Sequence, residues 1–169
     1  FVNSQANIDW YSNQIDSLEL TQAQQYRTDV SQTYIKARQQ YLKTFDRYKA
    51  TPRTSSREEL ENLILETHEM AALISDSVKT TNNFLDFVQD SLERRNATIP
   101  ATMNAHQTLL NTYTATTNSH VQNLLTSTQD IDDDSVGILS AERSVQEKTE
   151  ALDDLKRGAD ENEIQTAEE

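Results

Sequence analysis

The chain has 169 residues, of which 35% are apolar and only 2 are glycine. Its 28 acidic residues outnumber 15 basic ones, giving a formal charge of −13, which repels phosphate backbones and anionic lipid headgroups. A nucleic-acid-binding or membrane-surface protein is therefore disfavoured, and the absence of cysteine excludes disulfides and thiol chemistry. Few turn residues predict long helices with short connections.

The first predicted helix covers most of the first fifty residues. Apolar and aromatic side chains recur at steps of three or four from Ile8 to Tyr48, with one gap between Leu18 and Tyr26. This pattern predicts one long amphipathic helix. The helix should end before Pro52, because proline cannot donate a backbone hydrogen bond and disfavours the helical conformation in the residue ahead of it.

The second predicted helix begins with a capping signal. Ser56 and Glu59 have the spacing at which the hydroxyl and the carboxylate each accept a hydrogen bond from the other residue's backbone amide. Apolar positions then alternate in steps of four and three from Leu60 to Leu92, which is the seam of a coiled coil. Residues 96–100 should end this helix.

A third stripe keeps one heptad phase over more than fifty residues. It comprises Met103, His106, Leu110, Tyr113, Thr117, His120, Leu124, Ser127, Ile131, Asp134, Ile138, Ala141, Val145, Lys148, Leu152 and Leu155. The acidic run at 130–134 and Gly137 lie in the middle of it, but a loop there would reset the phase. We therefore predict one continuous helix with a weak centre.

Gly158 follows two basic residues and is typical of a helix C-terminus. A fourth helix should start at about Asp160. The predicted fold is all-α, an elongated antiparallel bundle or coiled coil of three long helices with the start of a fourth. The predicted domains are 1–158 for the bundle and 159–169 for the start of the further helix.

The predicted helix lengths are unequal, at roughly 45, 40 and 57 residues, or about 65, 60 and 85 Å. If packed alternately up and down, the third helix extends roughly 20 Å beyond the others. Its end would then expose an apolar strip that needs another helix or another molecule. The predicted partner-contact residues are Ile138, Val145, Leu152 and Leu155.

We predict no catalytic, cofactor or metal site. His106 and His120 lie two heptads apart, about 21 Å along a helix, and cannot share an ion. His68 lacks a second ligand at the helical spacing of four. A calcium loop starting at Asp130 would need glycine at its sixth position and glutamate at its twelfth, but these positions hold Ser135 and Ala141. A solvated acidic patch is therefore preferred, and weak, nonspecific divalent binding stays open.

The chain is also predicted not to be an enzyme. The sequence has no phosphate-binding glycine loop, no serine elbow and no HExxH motif. Acid–base catalysis requires two carboxyl groups in different environments beside a cleft, and a narrow bundle offers little cavity.

The C-terminal part of the sequence resembles a known family. The stretches are AERSV at 141–145, LDDLKRGAD at 152–160 and IQTAE at 164–168, with a looser match at FLDFV (84–88) and TYT (112–114). This segment resembles the helical hairpin of periplasmic adaptor proteins of the HlyD type, also called membrane fusion proteins. The lipoyl halves and the β-barrel strands of that family are not present in the sequence.

The resemblance implies a structural adaptor that bridges a membrane transporter to its partner components. It implies an extracytoplasmic location, membrane association through parts outside this segment, and contacts with transporter subunits and with further copies in a homo-oligomer. Neither nucleic-acid binding nor membrane insertion by this segment is predicted, because the net charge is negative and no stretch approaches about 18 consecutive apolar residues. Two alternatives stay open on the sequence: a helical-bundle sensory ectodomain of a membrane receptor, and a tethering or coiled-coil interaction module.

Overall fold

The computed structural model describes residues 9–11 and 19–158. These residues form three long helices, α1 (Leu20–Ala50), α2 (Arg57–Arg94) and α3 (Ala101–Arg157), together with a helical segment at 9–11. No strand occurs in this part of the chain, which confirms the all-α class. The chain divides into two compact units, Phe1–Thr128 and Gln129–Glu169.

The prediction of a single first helix over residues 8–48 is wrong. Glu19 lies in a turn and α1 begins at Leu20. The side chains of Asp9 and Arg27 form an ion pair at 2.6 Å, although a continuous helix would separate them by about 27 Å along its axis. Asp9 and Arg27 therefore do not lie on one continuous helix, and this arrangement lets Tyr11 enter the core.

The predicted start of α2 is confirmed, with Ser56 as its N-cap. The Glu59 backbone N–H donates to the Ser56 hydroxyl at 3.2 Å, and the Ser56 backbone N–H donates to the Glu59 carboxylate at 3.0 Å. The second of these bonds, which stabilises the charged carboxylate, is the main cause of the lowered pKa of Glu59. The reciprocal pair satisfies amides that the first turn of the helix leaves free.

The end of α2 also lies where the sequence predicts it. Asn96 has a φ of 50°, in the left-handed region that asparagine tolerates better than most residues. The Asn96 amide donates to the Glu93 carbonyl at 2.9 Å and the Ala97 amide to the Leu92 carbonyl at 2.9 Å. These two bonds form a Schellman motif, which satisfies carbonyls at the helix end and turns the chain towards α3.

The predicted continuity of α3 is confirmed, since it runs for 57 residues without interruption. The acidic run at 130–134 and Gly137 are helical throughout. The helix stops at Gly158, which has a φ of 76° and donates its amide to the Leu155 carbonyl at 3.3 Å. The predicted helix from about Asp160 lies outside the described residues. None of the described helices is long and apolar enough to cross a bilayer.

The core lies in the first unit, where residues 9–11, the first part of α1, the last part of α2 and the start of α3 meet. It consists of Tyr11, Ala23, Val30, Phe84, Leu85, Phe87, Val88, Leu92 and Met103, with Tyr26, Ile99 and Leu110 packed against it. Every predicted seam position of α2 is buried or half-buried. Phe84 and Phe87, which lie beside that seam, are buried as well, because α2 packs against other helices on more than one side.

On α3 the predicted seam positions agree with the observed burial at every second position. In the first unit, Met103, Leu110, Thr117 and Leu124 are buried or half-buried, as expected. Of the alternate predicted positions His106 is half-buried, whereas Tyr113, His120 and Ser127 are exposed. The half-buried positions there are displaced by one residue, to Gln107, Thr114, Val121 and Thr128.

Candidate functional site

The four predicted partner-contact residues lie on α3 in the second unit, and all are exposed. Their exposed fractions are 46% for Ile138, 67% for Val145, 50% for Leu152 and 80% for Leu155. Helical geometry places them along one side of α3 over about 25 Å. We call these four residues the apolar seam. A row of large exposed apolar side chains is typical of a surface that binds another protein.

Two further apolar side chains in this unit were not predicted. Val136 and Leu139 are also exposed. Neither occupies a core position of the heptad pattern, so they do not extend the seam. The heptad phase carried no signal for them, because it follows only one side of the helix.

Two charged residues lie on the line of the seam, Lys148 between Val145 and Leu152 and Asp134 one turn before Ile138. Asp134 and Lys148 occupy positions of the same heptad pattern and are exposed. Neither makes an ion pair within the residues that the structure describes. We call Asp134 and Lys148 the seam charges. A partner helix that covers the seam and the turn before it must also cover these two groups, which carries a large cost unless the partner supplies opposite charges.

The helix that carries the seam is stabilised locally by side-chain contacts one turn apart. The Gln146 amide donates to the Glu150 carboxylate at 2.9 Å, Lys156 lies 3.5 Å from Asp153, and Arg157 pairs with Asp154. Each such contact contributes only about 0.2–0.5 kcal/mol, and a single helix in water is marginal without tertiary packing. The segment therefore gains stability from any helix that packs on its seam.

The first unit contains a cleft of about 410 Å³ between α2 and α3. It is lined by Thr67, Met70, Ala71, Ile74, Thr117, His120, Asn123, Leu124 and Ser127. The ionisable side chain in this lining is His120, so no acid–base pair converges on the space. A cleft of this size and apolar character suits a small apolar molecule.

A second cleft, of about 550 Å³, lies between α1 and α2 and is lined by polar side chains. The Ser91 hydroxyl and the Arg94 guanidinium both donate to the Glu19 carboxylate there, and the Ser91 hydrogen bond is the main cause of the lowered pKa of Glu19. The Gln107 amide donates to the Asp86 carboxylate at 2.6 Å. Both carboxylates thus connect helices to one another.

His106 and His120 lie two heptads apart on the continuous helix α3, as their spacing predicts. His106 Nδ1 lies 2.9 Å from the hydroxyl of buried Tyr11, and burial raises the pKa of that phenol. His120 lies farther along α3 at the apolar cleft. The described residues hold no cluster of three or more histidine, aspartate or glutamate side chains arranged to hold a metal. The acidic run at 130–134 is helical, a backbone conformation that cannot wrap an ion as a calcium loop does.

Comparisons with known proteins do not assign the chain to a family. No protein-family model matches it, and neither a curated protein nor a solved structure does. The function is therefore inferred from the residues and contacts themselves.

Proposed function

We propose that this chain is a non-enzymatic structural adaptor that docks a partner helix along the apolar seam. The observation that carries the proposal is the exposure of all four seam residues on one side of α3. Burial of such side chains on binding is favourable by about 25 cal/mol for each Å² of apolar surface removed from water. Each heptad of the seam therefore offers a partner helix an apolar residue to cover.

The proposal extends to an identity that the sequence resemblance suggests. The adaptor would be the helical hairpin region of a periplasmic adaptor subunit, which bridges a membrane transporter to its partner components in an extracytoplasmic, homo-oligomeric assembly. The resemblance at 141–145, 152–160 and 164–168 supports this reading. The seam lies within the same stretch of sequence.

The finer architecture in this proposal is an antiparallel bundle of long helices. On α1 and α2, Glu19 pairs with Arg94 while Arg47 pairs with Glu66, so rising numbers on one helix meet falling numbers on the other. The same inversion relates α2 to the first part of α3. Its contacts are Ser75 with Asn118 at 2.7 Å, Asn82 with Asn111 at 3.0 Å and Asp86 with Gln107 at 2.6 Å. Such pairing supports a rigid spacer, which is what an adaptor requires.

Site-specific photo-crosslinking tests the docking function. A photoreactive amino acid at position 145 or 152 of the full-length protein in its host should give a discrete crosslinked product with a second protein. The same probe at Arg143, roughly 160° around the helix from Val145, is the matched control. Equal crosslinking at the seam and at Arg143, or none at either, would contradict the proposal. A transporter component in the product would support the adaptor identity.

A sensory ectodomain is the second candidate, and the apolar cleft between α2 and α3 favours it. A ligand in that cleft would bind both helices and bias their relative position. The test is a thermal-shift screen of small apolar and aromatic compounds. A stabilising compound should lose its effect in the Ile74→Trp variant, whose larger side chain fills the cleft. A screen without any such compound would count against a sensor.

A further inference from the structure

We infer that the apolar seam binds a helix of another protein, with a basic residue opposite Asp134 and an acidic residue opposite Lys148. This inference rests on the proposed docking function and adds the charge pattern of the partner. The partner residues that face the two seam charges are fourteen positions apart, about 21 Å along a helix. Apolar side chains on the partner face the rest of the seam.

The seam charges are placed where a docked helix has to meet them. In the heptad pattern Ile131, Ile138, Val145 and Leu152 occupy one core position, and Asp134 and Lys148 belong to the other. Both charges are exposed and lack an ion pair among the described residues. A charged side chain in such a core position specifies the partner, because covering it without an opposite charge is strongly unfavourable.

A second copy of this chain does not supply the opposite charges. In a parallel pair in register each seam charge meets its own counterpart, so Asp134 faces aspartate and Lys148 faces lysine. A stagger of fourteen residues pairs one Asp134 with one Lys148 and leaves the other charge of each copy without an opposite charge. In an antiparallel pair the two kinds of core position face each other, so both charges face isoleucine, valine or leucine in every register. Each arrangement leaves buried charges repelled or unpaired, which opposes self-association through this surface.

The rest of the segment carries charge of the same sign. Between residues 129 and 158 carboxylates clearly outnumber basic side chains, and four of them fall within 130–134. A second copy would bring the same negative field to the interface. A helix with basic flanks would instead be attracted, which favours a heterologous partner of that composition.

The test uses designed helical peptides of four heptads and the full chain. All peptides carry isoleucine and leucine at the core positions, except at two sites fourteen residues apart. Those sites hold Lys then Glu, Glu then Lys, two Lys, or two Glu. In fluorescence anisotropy at low salt, one mixed-charge peptide should bind at least about 10-fold more tightly than both same-charge peptides. The order of Lys and Glu in that peptide reports whether the partner helix is parallel or antiparallel to α3.

A charge reversal on the chain provides the second arm. The Asp134→Lys variant should prefer the peptide with two Glu by a similar factor. Asp133→Lys makes the same change about 100° away from the seam and should keep the preference of the unaltered chain. A crossover in one variant and not in the other attributes the preference to the seam charge itself.

The outcomes separate this inference from the docking function. Equal, tight binding of all four peptides would overturn the charge pattern and leave docking intact. No binding of any peptide, together with no seam crosslink, would overturn both. Sedimentation as a dimer that Val145→Asp converts to a monomer would show that a second copy covers the seam, and would also overturn the inference.

Discussion

Phe84 illustrates what a single buried side chain contributes to the first unit. It is 0% exposed and lies among Tyr26, Leu85 and Val88 in the core cluster. We expect Phe84→Ala to lower the free energy of unfolding by about 3–5 kcal/mol, because it removes apolar contacts and leaves a cavity.

Urea denaturation followed by circular dichroism measures that change. Tyr48→Ala is the matched control, because Tyr48 is 64% exposed, and it should change stability by less than about 0.5 kcal/mol. Similar losses in the two variants would mean that the core does not lie where the structure places it.

Glu19 gives the protein a pH dependence at the residue scale. The Ser91 hydroxyl, and then Arg94, lower the pKa of Glu19 in the folded state below its ordinary value near 4.5. As pH falls, the unfolded state therefore binds the proton first, so the contribution of Glu19 is complete above its unfolded pKa. That contribution is lost as pH falls through the folded pKa.

We expect Glu19→Gln to reduce the loss of thermal stability between pH 7 and about pH 3. Glu147→Gln, which alters an exposed glutamate on α3, should leave that loss nearly unchanged. Differential scanning calorimetry across this range provides the comparison. An identical acid slope in the Glu19 variant and the unaltered protein would show that the Ser91 and Arg94 contacts do not form in solution.

At the scale of the element, Gly137 within α3 and Gly158 directly after it should respond to alanine in opposite directions. Gly137 is helical, and a Cβ atom there would meet nothing within 4 Å, so Gly137→Ala should stabilise the helix by about 0.5–1 kcal/mol. Gly158 has a φ of 76°, which strains any residue with a Cβ atom, so Gly158→Ala should destabilise the helix end by about 1 kcal/mol.

Helix content from circular dichroism and amide exchange within α3 measures both glycine effects. A loss of helicity in Gly137→Ala would contradict a helical backbone with open space around the Cβ position of residue 137. Unchanged exchange of the last turn in Gly158→Ala would contradict the left-handed cap.

At the scale of the whole molecule, the two units should differ in local stability. Amides at 84–92 lie in the buried core, whereas the side chains at 138–157 are exposed. Local opening requires the least free energy where few buried contacts hold a segment. Amides at 138–157 should therefore exchange at least about a hundredfold faster than those at 84–92. Hydrogen–deuterium exchange with peptide-level mass spectrometry tests this, and equal protection would mean that the second unit has stabilising contacts of its own.

The sequence by itself determined the local features whose causes are local. A hydroxyl and a carboxylate three residues apart begin α2, a proline follows the end of α1, and Gly158 ends α3, because capping and backbone conformation depend on a few neighbouring residues. Unbroken heptad phase likewise predicted α3 as one helix across its acidic centre.

Only the tertiary structure decided where α1 begins and which faces are buried. The ion pair between Asp9 and Arg27 shows that these residues do not lie on one continuous helix, although the apolar periodicity predicted one. Phe84 and Phe87 enter the core because α2 has neighbours on more than one side, whereas a heptad describes a single interface. The seam residues follow the same heptad pattern as the buried residues of α3 in the first unit. Whether such a residue is buried depends on whether another helix lies against it, and the pattern alone does not encode that.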